Sequence, residues 1–77
     1  MQMILLDVDL GKNIRNIRIS RNMTQENVIA KIQLLGSMMS RSTLANIEGG
    51  YRNIKASDLM ALKIIFDVDY SAFFEGL

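Results

Sequence analysis

Between Leu10 and Phe66 apolar side chains return at intervals of three and four, and no proline interrupts them. That is the period of an α-helix, and it leaves little room for any other architecture. Leu10, Ile14 and Ile17 share one face with Arg18, which predicts a first helix over 10–21 with Asp9 as its cap. Thr24 opens a second helix, because a threonine oxygen can accept from the free amides of a first turn. Met23, just before it, is placed to staple onto Val28. Val28, Ile29, Ile32 and Leu35 form the buried stripe, and Gly36 is a natural terminator. The "GSMM" that follows reads as a connector. Ser40 then caps a third helix that runs to about Glu48 and stops at Gly49-Gly50. "YRNIK" reads as a loop. Leu59, Leu62, Lys63 and Phe66 mark a fourth helix over 56–66, and Asp69 or Ser71 caps a short fifth that carries Phe73 and Phe74 towards the core. "MQMILLDV" fits either a short strand or an arm packed on the body. A strand there needs a partner for its edges, such as the same segment of a second copy. The expectation is a compact all-α, five-helix, single domain over 1–77, with 1–9 as an N-terminal arm and 10–75 as the helical core. Its second and third helices form a helix-turn-helix.

The residue types present narrow the chemistry. There is no cysteine and no histidine, which removes disulfides, thiol chemistry, the usual zinc ligands and the commonest general base. The serines have no histidine to activate them, and no glycine-rich loop follows a strand, so no enzyme and no cofactor are expected. Asp7-Val8-Asp9 and Asp67-Val68-Asp69 are paired carboxylates. They lack the acidic density and glycine placement of a calcium loop; Asp9 and Asp69 precede expected helices, where caps belong, so no metal is expected. Met39 is expected to plug the core and Met38 to form a flexible contact surface.

No apolar run approaches the roughly 18 residues of a membrane span. "MILL" is flanked by acids and lacks the basic flank of a signal peptide. Asn22-Met23-Thr24 matches a glycosylation sequon, but nothing points to secretion, and a cytoplasmic location is expected.

Charge is uneven. The net formal charge is +1, yet residues 10–55 hold eight of the nine basic side chains against only Glu26 and Glu48. Both ends of the chain are acidic. A basic middle is the electrostatic footprint of a polyanion-binding surface. The third helix adds a second sign. Leu44 and Ile47 fall on one side, while Ser42, Ala45, Asn46 and Gly49 fall on the other, with Arg41 near the start. Ordinary solvated faces carry Lys and Glu. A face cleared of bulk and charge is one on which something docks.

"MTQENV" at 23–28, "SRSTLANIEGGYRNI" at 40–54 and "LMALKIIFDVDYSAFF" at 59–74 together resemble the phage-repressor-like (lambda Cro/repressor, XRE-type) helix-turn-helix family. With the first helix the resemblance spans about residues 10–75. It implies double-stranded DNA as partner and a small homodimeric transcriptional regulator of repressor type. The third helix would be the recognition helix, with Arg41, Ser42, Ala45 and Asn46 at base edges. Arginine can bridge guanine O6 and N7, asparagine can pair with adenine, and alanine can touch a thymine methyl. Gln25, at the positive end of the second helix, would hold a phosphate, as would Thr43, Arg52 and Asn53. Arg18 and Glu48 match a family pair that bridges the first and third helices. The dimer would form through the fifth helix, with Phe73, Phe74 or Leu77, or through the arm. The alternative is a protein-interaction module on the same fold, such as an antitoxin or a regulator-binding partner.

The sequence departs from the family pattern in three places. Gly36 stands eleven residues after Gln25 where about eight is usual, which reads as an added turn of the second helix, "QLL", and a longer connector. Ile29 stands where a small residue is usual, and the N-terminal arm matches nothing in the family.

Overall fold

The computed structural model describes residues 3–4 and 8–76. In chain order the elements are β1 (Met3–Ile4), α1 (Val8–Ser20), α2 (Gln25–Leu34), α3 (Arg41–Glu48), β2 (Ile54–Lys55), α4 (Ala56–Phe66) and α5 (Tyr70–Phe73).

The helices start and stop where local chemistry directs. Thr24 accepts from the Asn27 amide while the Asn27 side chain accepts from the Thr24 amide, a reciprocal box at the start of α2. The Ser40 hydroxyl accepts from the Thr43 amide at the start of α3. The four longer helices all end on a left-handed residue: Asn22, Gly36, Gly50 and Asp67, with φ of 57°, 94°, 79° and 54°. Each reverses the chain so that the next amide reaches back into the last turn. Met23 donates to the Arg18 carbonyl, Ser37 to Ile32, Tyr51 to Asn46 and Val68 to Lys63.

Several boundaries differ from expectation. α1 begins at Val8, so Asp9 sits inside its first turn and not at the cap. A carboxylate residue is favoured there too, because the first turn carries the positive end of the helix dipole. Within the arm, Met3–Ile4 is a strand: Met3 pairs with Lys55 and Ile4 with Ile54, antiparallel, within the one chain. The "YRNIK" segment thus supplies β2, which pairs one edge of β1 within the same chain. α2 does carry most of the added turn, reaching Leu34 with Leu35 as its cap. Leu35 is exposed and not part of the stripe, because the helix ends before its side chain can face the core.

Leu10 and Ile14 of α1, Val28 and Ile32 of α2, Leu44 and Ile47 of α3, and Leu59, Leu62 and Phe66 of α4 form one buried cluster. Phe73 of α5 joins it, its ring 6.4 Å from that of Phe66 and tilted by 44°. Met39 and Ile54 seal it from the connectors. Phe74 remains substantially exposed, so only one of the two phenylalanines expected in the core is there. Lys63 leaves the core face and lies 5.3 Å from the centre of the Tyr70 ring.

Two polar side chains tie distant parts of the chain to the α1 region. Asn13 Nδ2 donates to the carbonyls of Phe73 and Glu75, both at 2.9 Å. Just beyond α1, Arg21 Nε donates to the Phe66 carbonyl at 2.7 Å, placing a cation on the negative end of α4. Among the described residues, no helix is long and apolar enough to cross a membrane.

Candidate nucleic-acid interface

α3 presents the face that its sequence pattern implies. Leu44, Ile47 and Glu48 are buried, whereas Arg41, Ser42, Ala45 and Asn46 are exposed together on the outer side. Thr43 is half-buried, and its hydroxyl lies 3.0 Å from that of Ser40. Apart from Arg41, the outer face carries no charge and no bulk.

Behind that face lies a polar cluster joining three helices. Arg18 of α1 and Glu48 of α3 meet in a two-pronged contact, Nε to Oε2 at 2.8 Å and Nη2 to Oε1 at 3.0 Å. Their side chains are only 11% and 3% exposed. Hydrogen bonding to Glu48 raises the Arg18 pKa above its ordinary value, outweighing the effect of burial. The third guanidinium nitrogen, Nη1, donates to the Met23 carbonyl at 2.9 Å. Gln25 of α2 completes the cluster, its Nε2 donating to Glu48 Oε1 at 3.1 Å. An NH₂ group has two donors, so one hydrogen of that amide remains at the start of α2, beside the helix's free amides.

The first turns of α2 and α3 are also bridged. Arg41 Nε lies 2.9 Å from Glu26 Oε1, with both side chains well exposed. The Glu26 pKa lies below the usual carboxylate value, first because its own backbone amide donates to the carboxylate and then because of Arg41. In water such a pair is weak and easily exchanged.

Arg52 and Asn53 lie beyond α3. Arg52 is exposed; Asn53 is half-buried, and its Oδ1 is enclosed with no hydrogen-bond partner among the described residues. With Thr43 and Lys55 they line a small cavity of about 70 Å³. The structure therefore gathers Thr43, Arg52 and Asn53 at one place and sets Gln25 apart, against Glu48.

The basic middle of the sequence is only partly a surface. Arg18 is buried on Glu48, Arg21 closes α4, and Arg41 has an acidic neighbour. Lys12, Arg15, Lys31 and Arg52 remain exposed, and Lys55 is half-buried. The Glu26–Arg41 and Gln25–Glu48 contacts had no signal in residue spacing, because each joins separate helices across the connector.

The family model described as Helix-turn-helix (HTH_3) matches residues 14–73. The fold is similar to the crystal structure of the restriction-modification controller protein C.AhdI from Aeromonas hydrophila. The TM-score is 0.76 and the identity 22%, over 87% of this chain and 94% of that one. No curated protein matches. The capped α2, the connector and the α3 with its outer face of small side chains beside Arg41 are thus the helix-turn-helix of a known class, and the chain belongs to the XRE-type helix-turn-helix family of DNA-binding regulators.

Proposed function

We propose that this protein is a sequence-specific, double-stranded-DNA-binding transcriptional regulator of repressor type, acting in the cytoplasm as a homodimer. The observation that carries the reading is the outer face of α3, where Arg41, Ser42, Ala45 and Asn46 are exposed together while the opposite side is buried. A helix with so little bulk outside can sit deep in a major groove, its first residues at base edges. Arg41 supports this in a specific way. Its contact with Glu26 is between two exposed side chains, a kind of pair that is weak and easily exchanged, so the guanidinium can turn to guanine O6 and N7. Gln25, Thr43, Arg52 and Asn53 are assigned to phosphates.

Base readers and phosphate holders fail differently. Arg41→Ala is expected to cost roughly 1–3 kcal/mol on the preferred site and to relax its sequence preference. Arg52→Ala is expected to weaken all duplexes alike and to flatten the log–log salt dependence by about one unit, the share of a single phosphate. Lys31→Ala should change little. Titrations of each variant with selected and scrambled duplexes over a salt series make the comparison. Equal losses on both duplexes for Arg41→Ala would remove it from the readers.

Dimerisation rests on geometry of the target, since a helix-turn-helix of this kind reads two half-sites about one turn apart. Phe73 is fully buried and is not available to a partner, which leaves Phe74 as the α5 candidate within the described residues; Leu77 lies outside them. Phe74→Asp should yield a monomer by light scattering where the parent is a dimer. A parent that is monomeric both free and on a palindromic duplex overturns the dimer.

A protein-interaction module on the same fold is the second reading. It is favoured by Leu34 and Met38, which are 87% and 94% exposed around the connector. Unchanged DNA binding in every variant above would move the assignment to it.

A further inference from the structure

The connector between α2 and α3 is longer than the family pattern, yet it is fastened along its length. Ser37 Oγ donates to Asp58 Oδ1 at 2.7 Å. The same hydroxyl accepts from the Met39 amide at 3.0 Å. The Met39 carbonyl in turn accepts from Gln33 Nε2 at 3.4 Å, and the Met39 side chain is buried, 4% exposed. Met39 is therefore fixed through its amide, its carbonyl and its side chain, and the next residue is Ser40, the cap of α3. The anchor for all of this is Asp58, which belongs to the first turn of α4 and to neither helix of the motif.

Reading base edges requires reader side chains to be held to about half an ångström by supporting groups. Contacts to phosphates are more forgiving, because they carry no sequence information. A loose connector would leave the first turn of α3 free to swing while its far end stayed on Arg18. We infer that Ser37 and Asp58 are positioning residues for sequence readout. They clamp the extended connector to α4 and so set the position at which Arg41 and Ser42 enter the groove. This inference rests on the DNA-binding reading above and adds to it two residues that touch no DNA.

The clamp is tested by discrimination, which a merely structural role would not move. The probes are a duplex selected from a random pool by the parent protein and a scrambled duplex of equal length. Ser37→Ala is expected to bind the selected duplex roughly fivefold more weakly, the scale of one net hydrogen bond. The scrambled duplex and the salt slope should stay as in the parent. Ser37→Thr keeps the hydroxyl and should restore discrimination. Asp58→Asn keeps an acceptor and should lose less, and in the Ser37→Ala background it should lose nothing more, since the two act as one unit. Should Ser37→Ala fold too poorly to measure, Asp58→Ala gives the same comparison. Parent-like discrimination by Ser37→Ala, or equal weakening on both duplexes, overturns the inference alone. A parent that selects no sequence overturns the DNA-binding reading, and the clamp with it.

Discussion

Glu48→Ala is expected to lower unfolding free energy by about 3–5 kcal/mol, the usual cost of removing one partner from a buried ion pair. The magnitude follows from what is left behind. Arg18 would keep only the Met23 carbonyl, with its side chain 11% exposed and two guanidinium nitrogens stripped of their acceptor. The Gln25 amide would lose its partner as well. A chain of this size has a total stability of roughly 4–12 kcal/mol, so the variant should be marginal at room temperature. Urea titration is the measurement, and the midpoint should fall while the slope stays unchanged. A loss below about 1 kcal/mol would show that water reaches the guanidinium and that the pair behaves as a surface one. Replacing both members with apolar residues of similar size should be far milder, since no charge is then stranded. The double change separates the two roles of the cluster: if it restores stability but not DNA discrimination, the pair serves orientation more than cohesion.

The sequence carried local features well and long-range ones poorly. Thr24, Ser40, Gly36 and Gly50 announce helix ends because a cap or a left-handed turn depends on residues within one helical turn. The outer face of α3 was legible for the same reason, as a consequence of period alone. Asp9 misled because an acid is favoured both at the cap and just inside it. The β1–β2 pair was hidden because two residues make no pattern, and its partner lies some fifty positions away. The Ser37–Asp58, Asn13–Phe73 and Arg21–Phe66 contacts join elements that only the fold brings together, and residue type gave no hint of them. The Arg18–Glu48 pairing came from family likeness. Within the site, which residues face outwards was readable. That Gln25 lies against Glu48, and Arg41 beside Glu26, was not.

Gly11 was hidden in the same way, and it carries the second large effect. A glycine inside a helix reads as a weakness, and its replacement by alanine ordinarily stabilises a helix by about 1 kcal/mol. Here the opposite sign is expected. Gly11 is buried in α1 where that helix crosses the end of α3. A Cβ built on it collides with the Ile47 carbonyl oxygen and lies 3.1 Å from that of Glu48. Both are backbone atoms of the last turn of α3, so no rotamer change can relieve the contact. The two helices must move apart, and the Arg18–Glu48 contact lies between the same pair. Gly11→Ala should therefore destabilise by about 3 kcal/mol, the upper range of overpacking. Gly36→Ala is the control: it has open space around it and a φ of 94°. There the cost should be only that of the left-handed backbone, about 1–2 kcal/mol. Thermal or urea melts of the two variants decide the matter. If Gly11→Ala melts at or above the parent, the close approach of α1 and α3 is wrong. If it melts below Gly36→Ala, the glycine is there to let α3 lie directly on α1, backbone against backbone.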